Sequence, residues 1–99
     1  MKPDELTRKL NSVGKSAFVQ NFDLFESYFK GQLSKTECIE KLVRSGVSNE
    51  SGASIRCSNA ILIFKGKQEI EALKMVIQSK RLPYEISVKA VELFTKRNA

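Results

Sequence analysis

The sequence predicts an all-α fold: a compact bundle of five to six helices forming a single domain over residues 1–99. Three observations carry that prediction. Apolar residues recur at helical spacing in six stretches separated by glycine, proline and short polar runs. Phe18, Phe22, Phe25 and Phe29 follow one another at i, i+4, i+7 and i+11, one stripe of a 3.6-residue repeat. Ser34-Lys35-Thr36-Glu37 spells a capping box, in which serine and glutamate satisfy each other's backbone donors at a helix start. A chain of 99 residues that is 41% hydrophobic supports one core burying roughly 60 to 68% of the unfolded surface, and is too short for two ordinary domains.

The first helix is expected to open at Pro3, whose fixed φ suits a first turn. Asp4 and Glu5 stand near the positive end of its dipole, and Leu6 and Leu10 face inward. The second carries the phenylalanine stripe and stops at Gly31. Four phenylalanines on one face read as core rather than as a stacking platform for a ligand, because so small a chain has few other large side chains to bury. The third runs from the capping box to Gly46, with Leu33 and Cys38 placed as a hydrophobic staple and Ile39, Leu42 and Val43 apolar. Val47 to Ser54 is small and polar and reads as a connection.

Residues 53–64 are ambiguous. Ala53, Cys57, Ala60, Ile61 and Phe64 fit one helical face, whereas Ala60 to Phe64 followed by Lys65-Gly66-Lys67 suits a short strand and turn. Helix is favoured, since both neighbours are helical and no second strand exists to pair with it. A fifth helix spans Gln68 to Lys80 with Ile70, Leu73, Val76 and Ile77 inward. Pro83 opens the sixth, lined by Ile86, Ala90, Leu93 and Phe94, and Arg97 to Ala99 read as a frayed tail. The expected core is the phenylalanine stripe completed by Leu42, Ile61, Leu73, Ile77, Leu93 and Phe94.

The chain has no histidine and two cysteines, Cys38 and Cys57, without CxxC spacing, so no zinc site and no cofactor is expected. Two reduced, partly buried thiols are the favoured state, with a single disulfide as the alternative. No stretch approaches the length of a membrane span, and Met1 to Leu10 carries charges where a signal peptide needs an apolar run; the expected setting is the cytoplasm. An enzyme is not expected. Asp23 and Glu26, one turn apart, are the nearest approach to an acid-base pair, and read instead as a solvated face with Lys30 as partner to Glu26. Gly14-Lys15-Ser16 matches the end of a phosphate-binding loop but lacks the earlier glycine, where this chain has Lys9, and the preceding strand.

Charge is the remaining signal. The formal net charge is +6, and it is uneven: +1 over residues 1–50 and +5 over residues 51–99. Ten of the seventeen basic residues, among them Arg8 and Lys9, fall in or just beyond the final turns of the expected helices, where cations complement the dipole. That explains their placement and not their excess. From Ser51 to Gln68 there is no acid, only Arg56, Lys65 and Lys67 among Ser51, Ser54, Ser58 and Asn59, a mixture suited to phosphate and base-edge contacts.

Residues Thr36 to Phe64 resemble a helix-turn-helix: a helix, a Gly46-Val47-Ser48 turn, and a second helix carrying Arg56 and Asn59, with Ile55 where that motif buries a residue. Lys41 and Gly52 depart from its apolar pattern, and the turn is several residues long for it. The resemblance implies DNA or RNA binding, with Arg56 and Asn59 as base readers and Lys65, Lys67, Lys80 and Arg81 as phosphate contacts. Replacing Lys65 and Lys67 would then flatten the salt dependence of binding. All of this requires the cations of the second half to converge on one face. The alternative is an immunity protein or antitoxin that neutralises a cognate bacterial toxin by direct protein-protein contact; a homodimer is compatible with either.

Overall fold

Polar punctuation, more than proline, divides this chain into helices. In the computed structural model, which describes residues 2–97, seven helices follow one another: α1 (Pro3–Val13), α2 (Lys15–Gln20), α3 (Phe22–Phe29), α4 (Lys35–Arg44), α5 (Glu50–Lys65), α6 (Glu69–Gln78) and α7 (Tyr84–Arg97). No strand occurs among the described residues. The globule has a radius of gyration of 12.5 Å.

Pro3 stands in the first turn of α1, and Leu6, Leu10 and Val13 form its buried stripe. Because α1 continues to Val13, Arg8 and Lys9 lie in mid-helix and not at its negative end, contrary to the sequence expectation. Gly14, at φ +91°, turns the chain into α2.

The phenylalanine helix is two helices, and this is why the count rises from six to seven. At Asn21 the backbone leaves helical values (φ −114°, ψ 22°), and the side-chain amide donates to the Ala17 carbonyl at 3.1 Å, alongside the residue's own N–H. An asparagine offers the backbone this local alternative to the helical ladder. Phe18, Phe22 and Phe25 are fully buried, but Phe29 is 41% exposed and stacks on Phe64 at 5.6 Å. Phe64 also contacts Phe22 at 5.2 Å, so α5 completes the aromatic cluster.

The capping box forms as the sequence reads: Glu37 N–H donates to Ser34 Oγ and Ser34 N–H to Glu37 Oε1. α4 ends in a paired stop, with Gly46 (φ +79°) donating to Val43 O and Val47 to Leu42 O, an arrangement that requires a left-handed residue at position 46. α5 starts at Glu50, three residues earlier than the apolar pattern alone indicates, because Asn49 Oδ1 accepts from Gly52 N–H at 2.8 Å and caps it.

α5 is the centre of the fold, packed by α1, α3 and α4 and touched by α6. Residues 53–64 are therefore helical throughout. Small Ala53, Cys57 and Ala60 let neighbouring helices approach closely, while Ile63 and Phe64 fill the space beyond. Ile63 takes the fully buried place expected of Ile61, which is half-buried. On α6 the buried set is Ala72, Leu73 and Val76, with Ile70 and Ile77 at the margin; on α7 it is Ile86, Ala90 and Leu93, with Phe94 packed against them. Arg97 is no frayed end. It donates to Glu26 at 2.8 Å and to Asp23 at 3.4 Å and lies over the Phe22 ring at 4.8 Å, tying α7 to α3. Asp23 and Glu26 are thus partners of Arg97 as well as, for Glu26, of Lys30 at 3.8 Å. The remainder of the expected tail, residues 98 and 99, lies outside the described residues.

Candidate functional site

Where α1 turns into α2, the corner faces the middle of α5 and the loop joining α6 to α7. Between them lies an open depression of about 580 Å³, whose walls include Lys15, Arg56 and Arg81, with Asn11, Ser16 and Ser79 as neutral hydrogen-bonding groups and no carboxylate. Three cations from three separate segments thus border one concavity.

Each is positioned by a different local cause. Arg56 lies on the first half of α5, half-buried, and its guanidinium donates through Nη1 to the carbonyl of Val13. That carbonyl belongs to the last residue of α1, one of the groups a helix leaves without an internal partner, and a cation is favourable there. The bond fixes the guanidinium at the rim, and the fork of remaining N–H donors is the feature suited to a second acceptor. Lys15, half-buried, opens α2 directly after Gly14. A Cβ at Gly14 would sit 2.8 Å from Arg56 Nη1, so the glycine is what lets the guanidinium come this close to the corner. Arg81 is exposed on the loop preceding Pro83. On α7, Lys89 donates to the carbonyl of Gln20, another residue of the wall, at 3.1 Å.

Of the six residues the sequence singles out, Arg56 and Arg81 meet here. Lys80 precedes Arg81 and is exposed but does not line the walls. Asn59, one turn beyond Arg56, is half-buried and spends an amide donor on Ile55 O at 2.9 Å in its own helix. Lys65 and Lys67 are exposed at the far end of α5, about 14 Å along the axis from Arg56 at 1.5 Å per residue. Their surroundings differ: Glu69 and Glu71 occupy the first turn of α6, and the shallow hollow between α1 and α6 includes Glu71. Lys65 and Lys67 therefore lie apart from the concavity that Arg56 and Arg81 border, while Lys74 pairs with Glu71 on α6 and Arg97 with Glu26 and Asp23 on α3.

Lys15 and Ser16 are the residues that sequence reasoning set aside. Gly14-Lys15-Ser16 was visible as a fragment of a phosphate-binding pattern, but nothing in the linear order places it against Arg56 and Arg81.

The Thr36–Phe64 unit has the order helix, turn, helix in α4 and α5, yet its packing departs from the expected motif. Ile55, expected to be buried, is 56% exposed. α5 packs against α1, α3 and α4, and the face it leaves to solvent carries Ser51, Ile55, Leu62 and Lys65. Among the described residues no group of three or more cysteine, aspartate or glutamate side chains is placed to hold a metal, and no helix is long and apolar enough to cross a membrane. No known protein family matches the chain, and neither a curated protein nor a solved structure shows a significant similarity to it.

Proposed function

We propose that the chain is a non-enzymatic nucleic-acid-binding protein that holds DNA or RNA by its phosphates at the depression between the α1–α2 corner, α5 and the α6–α7 loop. The observation that carries this reading is the convergence of Lys15, Arg56 and Arg81 on one carboxylate-free concavity. Cations gathered there release condensed counterions when they meet a phosphate backbone, and the hydroxyls of Ser16 and Ser79 and the amide of Asn11 add hydrogen bonds. The helix-turn-helix-like unit enters this reading as the source of Arg56. Asn59 lies one turn further along α5, and Lys80 beside Arg81, as secondary contacts.

The test is fluorescence polarisation of labelled duplex and single-stranded oligonucleotides over a salt series. Neutralisation of about three phosphates gives log K falling against log salt with a slope near −3. An absence of binding at low ionic strength by protein shown to be folded overturns the proposal.

A second reading, neutralisation of a cognate toxin by an immunity protein or antitoxin, is favoured by one feature. Tyr84, Val88 and Val91 are exposed at i, i+4 and i+7 along α7, with Tyr84 81% exposed. Contiguous exposed apolar residues mark protein-contact surfaces. That reading gains if oligonucleotides fail to bind while a tight one-to-one complex forms with the product of the adjacent gene.

A further inference from the structure

We infer that Cys38 and Cys57 are a built-in cross-linking site, at which two-electron oxidation by a hydroperoxide joins α4 to α5 through a disulfide. The two residues come from different helices, both are fully buried, and their sulfurs lie 3.0 Å apart. Bond formation requires the sulfurs to close by about 1 Å, within the reach of small side-chain rotations. The inference is independent of the nucleic-acid reading.

The fold supplies a reason for such a cross-link to act. α4 buries only Cys38 and Leu42 completely, with Ile39 packed at the margin and Leu33 just before its cap, so it is among the least anchored elements of the molecule. Helices with little buried apolar surface open locally at low cost, and that opening gives a small oxidant access to thiols that are closed in the resting state. The environment also makes the pair unequal. Cys57 is the more acidic thiol, held down by the hydrogen bond it shares with Cys38 and, against the opposing effect of burial, by the Lys35 ammonium. Cys38 is pushed up by the same hydrogen bond and by burial. Lys35 is kept nearby by its 2.8 Å hydrogen bond to Ser58 Oγ.

The chemistry follows from that inequality. The Cys57 thiolate attacks one oxygen of hydrogen peroxide, the O–O bond breaks, and the departing hydroxide takes a proton to become water, leaving a sulfenic acid on Cys57. The Cys38 sulfur then attacks the Cys57 sulfur, its proton leaving with the displaced hydroxide as a second water. Two thiols lose two electrons, and one peroxide is reduced to two waters. The product fastens the N-terminal half of α4 to the middle of α5, immediately beside Arg56.

The test uses the full chain treated with hydrogen peroxide, quenched, unfolded and alkylated with iodoacetamide. The expected result is an intact monomer two hydrogens lighter that takes up no alkyl group, with a Cys38–Cys57 linked peptide on digestion. The melting temperature should rise by roughly 10 °C and return on addition of dithiothreitol. Amide exchange in α4 should slow by about tenfold or more. The Cys38→Ala and Cys57→Ala variants should show neither the mass change nor the thermal shift. Two alkylatable thiols after treatment, oxygen adducts in place of the cross-link, disulfide-linked dimers, or a cross-link that leaves α4 exchange unchanged would each overturn the inference.

Discussion

Midway along α5 the Arg56 guanidinium, anchored on the Val13 carbonyl, borders with Lys15 and Arg81 a hollow without a carboxylate. At the C-terminal end Lys65 and Lys67 are exposed, just before a helix whose first turn holds Glu69 and Glu71. The linear sequence treats both regions alike, since both belong to the same acid-free run. Folding separates them: the first is supplemented by residues from the α1–α2 corner and the α6–α7 loop, while the second contributes nothing to the walls of that hollow. A surplus of charge becomes a site only where the topology adds further cations and withholds the anions that would answer them. Backbone strain follows the opposite distribution. Lys67 is the one non-glycine residue at positive φ among the described residues, +57°, and it fills a stop normally given to glycine, donating to Phe64 O while Gln68 donates to Ile63 O.

Substitutions in the two regions should therefore behave differently. The largest effect is expected for Arg56→Ala, which removes both a proposed phosphate contact and the partner of Val13 O. Affinity for an oligonucleotide should fall by about tenfold or more, and chemical denaturation should show a loss of roughly 1–3 kcal/mol. Next, the double variant Lys15→Ala/Arg81→Ala should keep its stability while the salt slope measured by polarisation shrinks by about 2, one for each phosphate no longer neutralised. At the C-terminal end of α5, Lys67→Gly should raise stability by about 1 kcal/mol, by relieving the left-handed backbone, with oligonucleotide binding altered little. The smallest effect is expected for Lys65→Ala/Lys67→Ala, a change in affinity of about twofold or less at moderate salt, because charges more than a Debye length away are largely screened. If this last pair flattens the salt slope more than Lys15→Ala/Arg81→Ala does, the site belongs at the far end of α5 and the comparison is reversed.

The helical class and most element boundaries were legible because they rest on local chemistry. The Ser34–Glu37 box, the stops at Gly31 and Gly46, and the spacing of Phe18, Phe22 and Phe25 all act within a few residues of themselves. The failures came where a local polar group competed with a periodic pattern. Asn21 breaks a helix that apolar spacing alone would continue, and Asn49 starts one before the apolar residues begin. Ile61 and Ile63 exchanged roles because α5 is packed on several sides and carries no single apolar stripe to fix its rotation. Two of the three cations of the candidate site were within reach, since Arg56 and Arg81 stand out by charge. Lys15 was not, because its relation to them exists only once α1 has packed along α5.

The contact between Gly14 and Arg56 bears on how this chain can diverge. Any side chain at position 14 would have to adopt an unfavourable backbone conformation and would also displace the guanidinium. The constraint runs one way: relatives that keep an arginine on α5 should keep the glycine, whereas loss of the arginine removes the close contact but leaves the left-handed backbone that favours glycine. Directed evolution for thermal robustness, which commonly swaps glycine for alanine, should leave this corner untouched for the same reason.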